Sequence, residues 1–214
     1  MVDNISIMKD ETSITSANPD INTRVAQRVR ALRAARGLTL EALAAQSGVS
    51  RSMLSLIERG ESSPTAVVLD KVATALGVPL AALFDDARAP ANPLARRADH
   101  PVWRDPQSGY VRRNLSPPAF PSPIHVVEVI LPAGASVAYE TGARAETIHQ
   151  QIWVQAGSID LSVGETTYHL TPDDCLAMQL NAPTLFRNPT HEPARYIVVI
   201  VNEGWRGTGR SYAA

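Results

Sequence analysis

An arginine stands among serines in Ser50-Arg51-Ser52-Met53-Leu54-Ser55, directly after the turn Gln46-Ser47-Gly48-Val49. Small hydroxyl side chains at the start of a helix permit close approach to another molecule. A guanidinium beside them forks onto guanine O6 and N7, so the chemistry on offer is hydrogen bonding to a base edge. A second group of residues lies on strands. Gln150, Ile152 and Val154 alternate on one, and Thr184, Phe186 and Asn188 on another. Alternation puts each trio on one face. Apolar faces with a few polar groups make up a small-ligand pocket. Arg144 at the rim suits a carboxylate, or pairs with Glu140 or Glu146; Tyr139 adds aromatic surface. Trp153 is expected to face outward and Cys175 to be a small buried hydrophobe. As the only cysteine, Cys175 excludes an internal disulfide and a zinc site of several thiolates. His100, His125 and His169 read as surface or satisfied core groups. His149 joins Glu146 and His191 in a metal cluster only if its strand bulges. No catalytic group, resident metal or cofactor is expected.

These side chains must be positioned by two different textures. Residues 1–22 are polar and lack helical period, which predicts a disordered tail. From Thr23, Val25, Val29 and Leu32 recur at helical spacing until Gly37. Thr39 caps a second helix that buries Leu43. Ser50 caps a third, with Leu54 and Ile57 buried, that stops at Gly60. Pro64 and Thr65 open a fourth, and Gly77-Val78-Pro79 leads into a short fifth ending near Phe84. Residues 23–86 therefore read as a five-helix domain. Residues 87–108, with Pro90, Pro93, Pro101 and Pro106, read as a proline-stiffened linker. In residues 109–214 short strands follow one another: Val111–Leu115, Ile124–Leu131, Ser136–Tyr139, Ile148–Gln155, Ser158–Val163, Thr166–Leu170, Cys175–Met178, Thr184–Arg187 and Tyr196–Val201. Strands so spaced, separated by turn residues, argue for a sandwich or barrel.

The 214 residues carry 44% apolar and 19% charged side chains and a net charge of -1. Bulk charge therefore announces no nucleic-acid partner. Lys9 and Lys71 are the only lysines; the other basic residues are arginines, the better forks for phosphate and carboxylate. No apolar run is long enough for a membrane span, and the first twenty residues do not read as a secretory signal. The expected compartment is the cytosol.

The run Leu38-Thr39-Leu40-Glu41-Ala42-Leu43-Ala44, with Ser55-Leu56-Ile57-Glu58-Arg59-Gly60-Glu61 and Pro64-Thr65, resembles the xenobiotic-response-element (XRE) family of helix-turn-helix regulators, related to phage repressors. The resemblance covers Arg24 to Asp85 and implies a lambda-repressor-like domain on double-stranded DNA. It implies that Ser50, Arg51, Ser52 and Ser55 face the DNA, with Arg51 as base reader. Thr39 and Thr65, at helix N-termini, would hold phosphates, with Arg59 as a weaker candidate. Glu58 is expected to pair with a first-helix arginine. Leu40 replaces the glutamine that clamps a phosphate in many members, so affinity is expected to lean on a homodimer.

Ile152-Trp153-Val154-Gln155-Ala156-Gly157, Gly164, Leu170-Thr171-Pro172-Asp173-Asp174 and Asn188 resemble the cupin family of jelly-roll β-barrels. Carried over by position, Gln150 stands at the metal-binding glutamate and Thr184 at a histidine. The other histidine positions fall on Arg144 and Glu146, or on Glu140 and Gly142. None of the four ligand types is retained, and amide and hydroxyl are poor ligands for iron, manganese or zinc.

Together these features imply a DNA-binding transcriptional regulator whose cupin half senses a small effector, for which Arg144 suggests a carboxylate. One alternative is an iron enzyme like the helix-turn-helix–cupin epoxidases of phosphonate antibiotic synthesis, from which the chain departs at the ligands. Another is a constitutive DNA binder with a purely structural cupin.

Overall fold

A computed structural model describes residues 20–85, 92–118, 120–140 and 147–202. Helix α1 spans Asp20–Ala35, α2 Leu40–Ser47, α3 Arg51–Glu58 and α4 Ala66–Ala75. Ile21, Val25 and Val29, spaced by four, give α1 one buried stripe. The helix begins three residues before the expected start, so Asp20, Ile21 and Asn22 belong to it and not to a tail. The expected fifth helix is a 3-10 segment, Leu80–Phe84, leaving four α-helices among the described residues. All five of its side chains are buried, so packing rather than helical hydrogen bonding holds it.

Thr39, Ser50 and Thr65 cap α2, α3 and α4: each hydroxyl accepts a hydrogen bond from the backbone N–H three residues on. Gly48 turns the chain between α2 and α3 at a φ of 67°, where a Cβ would strain the backbone. Leu54 and Ile57 of α3 face the helical core, while Arg51 and Ser52 are exposed. Arg33 fastens α1 to α3. Its Nε and Nη2 donate to the two Glu58 carboxylate oxygens at 2.6 and 2.7 Å, and its Nη1 donates to the Leu38 carbonyl at 2.8 Å.

The second half is mostly β. Strands β1 (Val102–Arg104), β2 (Val111–Asn114), β3 (Ile124–Leu131), β5 (Ile148–Ala156), β8 (Cys175–Gln179) and β10 (Ala194–Asn202) form one antiparallel sheet, ordered β1-β2-β3-β10-β5-β8. Strands β4 (Ser136–Tyr139), β6 (Ile159–Val163), β7 (Thr166–Leu170) and β9 (Thr184–Arg187) form a second, ordered β4-β9-β6-β7. The two sheets share a core without merging into one closed barrel. Gly157 turns β5 towards β6 where a Cβ would lie 2.8 Å from the Ala194 Cα and the Pro193 oxygen.

The expected linker is a docked segment instead. Among its described residues lie the 3-10 turn Arg97–Asp99, strand β1 and the buried side chains of Trp103 and Asp105. Trp103 packs on Phe84 with ring centroids 5.6 Å apart and on Tyr110 at 5.8 Å, so aromatic rings bridge the halves. Asn114 Nδ2 adds a hydrogen bond to the Ala81 carbonyl at 3.1 Å.

Candidate nucleic-acid interface and internal cavity

The exposed face of α3 begins at its cap. Ser50 Oγ accepts from the Met53 N–H at 3.2 Å and lies 3.1 Å from Ser52 Oγ. Arg51 extends from the first turn into solvent and is ion-paired with Glu41 of α2. That bond and a backbone N–H hold the Glu41 carboxyl below its usual range. Ser55, one turn along, accepts from Arg59, whose guanidinium also pairs with Glu61 at 2.7 Å. Thr39 is exposed at the start of α2, and its hydroxyl accepts from the Ala42 N–H at 3.1 Å. Six of the seven candidate DNA contacts thus lie at the cap of α2, on α3, or at the cap and C-terminal end of α3, and the carboxylates paired with Arg51 and Arg59 are exposed.

Thr65 departs from expectation. The first N–H of α4, at Ala66, donates to Asp105 Oδ1 at 2.7 Å. Asp105 Oδ2 accepts from the Ser108 N–H and hydroxyl, both at 2.6 Å. A carboxylate from the β half therefore occupies the helix end expected to hold a phosphate, where the helix dipole favours negative charge. Nearby, Lys71 of α4 pairs with Glu140 at 2.8 Å.

Between the sheets lies a cavity of about 60 Å³. Four of the expected pocket residues line it: Tyr139, Gln150, Thr184 and Phe186. Gln150 reaches it from β5 and Thr184 from β9. Ile152 and Val154 do not line it; they are fully buried in the core behind. Asn188 does not line it either. Its Nδ2 donates to the Leu131 and Glu192 carbonyls, and its Oδ1 accepts from the Thr190 N–H and hydroxyl. That uses the full hydrogen-bonding capacity of the amide, so Asn188 fixes a turn. Arg144 and Glu146 lie outside the described residues. Cys175 is exposed, not buried, because it pairs with Trp153 on the outer face of the large sheet, where Trp153 is exposed as expected. Among the described residues, no three His, Cys, Asp or Glu side chains converge to hold a metal ion.

Sequence reasoning missed Tyr110, Arg112 and Tyr196, which also line the cavity. The signal was present. In Tyr110-Val111-Arg112-Arg113-Asn114 the alternation places Tyr110, Arg112 and Asn114 on one face. Burial pushes the Tyr139 hydroxyl well above its usual range and raises those of Tyr110 and Tyr196, so all three stay neutral donors. Pro79, Leu80 and Asp70 of the helical half complete the wall.

Comparison with known proteins locates the strongest similarity in the helical half. The family model described as Helix-turn-helix matches residues 29–83. The HTH-type transcriptional regulator SutR of Escherichia coli strain K12 is 53% identical over 51 residues, 24% of this chain and 29% of SutR. The chain thus spans less than a third of the length of that relative. The uncharacterized HTH-type transcriptional regulator y4dJ of Sinorhizobium fredii is 42% identical over 59 residues, 28% of this chain and 77% of y4dJ. Among solved structures, an HTH_3 family transcriptional regulator from Vibrio cholerae superposes with a TM-score of 0.68 at 25% identity, over 86% of this chain and 97% of its own. No described helix is long and apolar enough to cross a membrane.

Proposed function

Because the chain belongs to the helix-turn-helix family of transcriptional regulators, we propose that it binds operator DNA sequence-specifically, and that a cupin-type β half senses a small metabolite. The observation that carries the DNA reading is the split character of α3. Leu54, Ile57 and the Arg33–Glu58 pair fix one side to the body, and Ser50, Arg51, Ser52 and Ser55 lie on the other. A helix so held enters a major groove with its first turn. In this reading Thr39 holds a phosphate and Arg59 reaches one by exchanging Glu61. A homodimer then spans a pseudo-palindrome with half-sites about one turn, roughly 34 Å, apart.

The sensor reading is supported by the cavity, whose walls come from both sheets and from the helical half. A ligand there touches the DNA-binding unit directly. No catalytic role is assigned, since Gln150 and Thr184 supply an amide and a hydroxyl where an iron cupin needs carboxylate and imidazole. Selection of duplexes from a random pool by the full-length protein tests the DNA reading. Enrichment of one pseudo-palindrome is expected; a pool that stays random after repeated rounds overturns it.

A further inference from the structure

Arg112 is 5% exposed, yet its Nε and Nη2 have no hydrogen-bond partner. Its guanidinium lies over the Phe84 ring at 5.6 Å, which occupies one face and leaves the edge unsatisfied. Next along the strand, Arg113 differs in charge pairing: Glu128 stands 3.2 Å from its Nε, although that Nε too makes no aligned hydrogen bond. Asp85 and the Tyr110 hydroxyl act on the Arg112 charge, yet neither takes this edge, and a buried guanidinium edge without an acceptor has room in its bonding for a further partner. Nε and Nη2 carry the parallel N–H bonds of one guanidinium edge, which takes both oxygens of a carboxylate at once.

Arg112 lines the cavity, and its Nε and Nη2, which have almost no accessible surface as they stand, meet an acceptor there once the guanidinium turns towards it. We propose that this cavity is a receptor for a small monocarboxylate anchored by Arg112, an assignment that rests on reading the β half as a sensor. In the same wall Tyr139 donates its hydroxyl proton to Tyr110 at 3.3 Å, which leaves the Tyr110 hydroxyl as a secondary donor. Val129, Val137, Leu80, Val198 and Ile200 surround the remaining space and suit a short hydrocarbon tail. The volume of about 60 Å³ exceeds what one water needs and suits a ligand of only a few heavy atoms. Glu140 and Asp70 border the cavity too, Glu140 paired with Lys71 and Asp70 itself engaged. A second negative charge on the ligand would meet them, which favours a monoanion over a dianion.

The test uses the full-length protein at neutral pH with propionate, butyrate, lactate and pyruvate as probes. Propionamide, butyramide and inorganic phosphate serve as controls. Thermal shift and titration calorimetry read binding. At least one acid is expected to raise the melting temperature while its amide and phosphate do not. Arg112→Met is expected to weaken that acid at least tenfold, and its own ligand-free melting temperature should equal or exceed the parent's. Arg112→Lys, which keeps the charge and loses the fork, should also lose most of the affinity. The assignment is overturned if amides match the acids, if phosphate exceeds them, if neither variant loses affinity, if none of the four acids binds, or if Arg112→Met sharply lowers ligand-free stability. Operator affinity, read separately, distinguishes the two layers. Acid binding that leaves it unchanged keeps Arg112 as anchor and removes the sensor role. Amide binding that changes it keeps a sensor and removes the anion site.

Discussion

Arg51 rests on Glu41 in the free protein, and both groups are exposed. An exposed ion pair is worth little, so exchanging Glu41 for a guanine edge carries a small penalty. Arg51→Ala should therefore cost about 1–3 kcal/mol of operator binding and relax preference at one base per half-site, as fluorescence anisotropy on operator variants would show. Unchanged affinity would remove Arg51 from the reading set. Glu58 belongs to the fold. Glu58→Ala strands the Arg33 guanidinium and should lower stability by about 2–3 kcal/mol in thermal denaturation. His125 supplies a pH signature. Burial lowers its pKa from the ordinary 6.5, against the pull of Asp85 and with the push of Arg112 and Arg28. A depressed histidine leaves stability whole above its unfolded value and loses it progressively as the pH falls from there through the lower folded value. Asp85, raised by burial, opposes this as it takes up its proton. Urea titrations should show the parent weakening as the pH falls below 6.5 and His125→Gln weakening less. At this scale the sequence was legible where a residue type has one local job. Ser50 as a cap follows from local spacing, and Glu58 as a partner for α1 was expected alongside the helix-turn-helix resemblance. Arg112 did not, because its role depends on an unpaired edge and on Phe84, 28 positions away, facing it.

Strand positions were readable because alternation and turn residues are local. β3, β4, β7 and β9 fall where the pattern placed them, residue for residue. β1 was hidden by the prolines around it, since Pro101 and Pro106 read as linker while Trp103 between them needs a distant surface to be buried. The N-terminus of α4 shows the same limit. Thr65 caps as expected, yet no local signal says that Asp105 will sit on Ala66. Asp105→Asn keeps the shape and removes the charge that meets the helix dipole and Ser108. It should cost about 1–2 kcal/mol in denaturation.

Across the whole molecule, the aromatic bridge Phe84–Trp103–Tyr110 makes the boundary between the two sequence textures a packed interior. Trp103→Ala should lower stability by about 3–5 kcal/mol. Because Tyr110 lines the cavity, it should also weaken ligand response, read as a smaller melting shift with the same carboxylate. Sedimentation at operator-binding concentrations should show a dimer, since Leu40 leaves each helical unit short of one phosphate clamp. The shared interior also constrains how such a chain can be recombined. If the halves melt as one unit, a scanning calorimeter records a single endotherm with equal calorimetric and van't Hoff enthalpies. A β half transplanted onto another helical unit would then need matching counterparts of Phe84, Ala81 and the Ala66 N–H. Exchange of β halves between such proteins is thus a problem of core complementarity before any other.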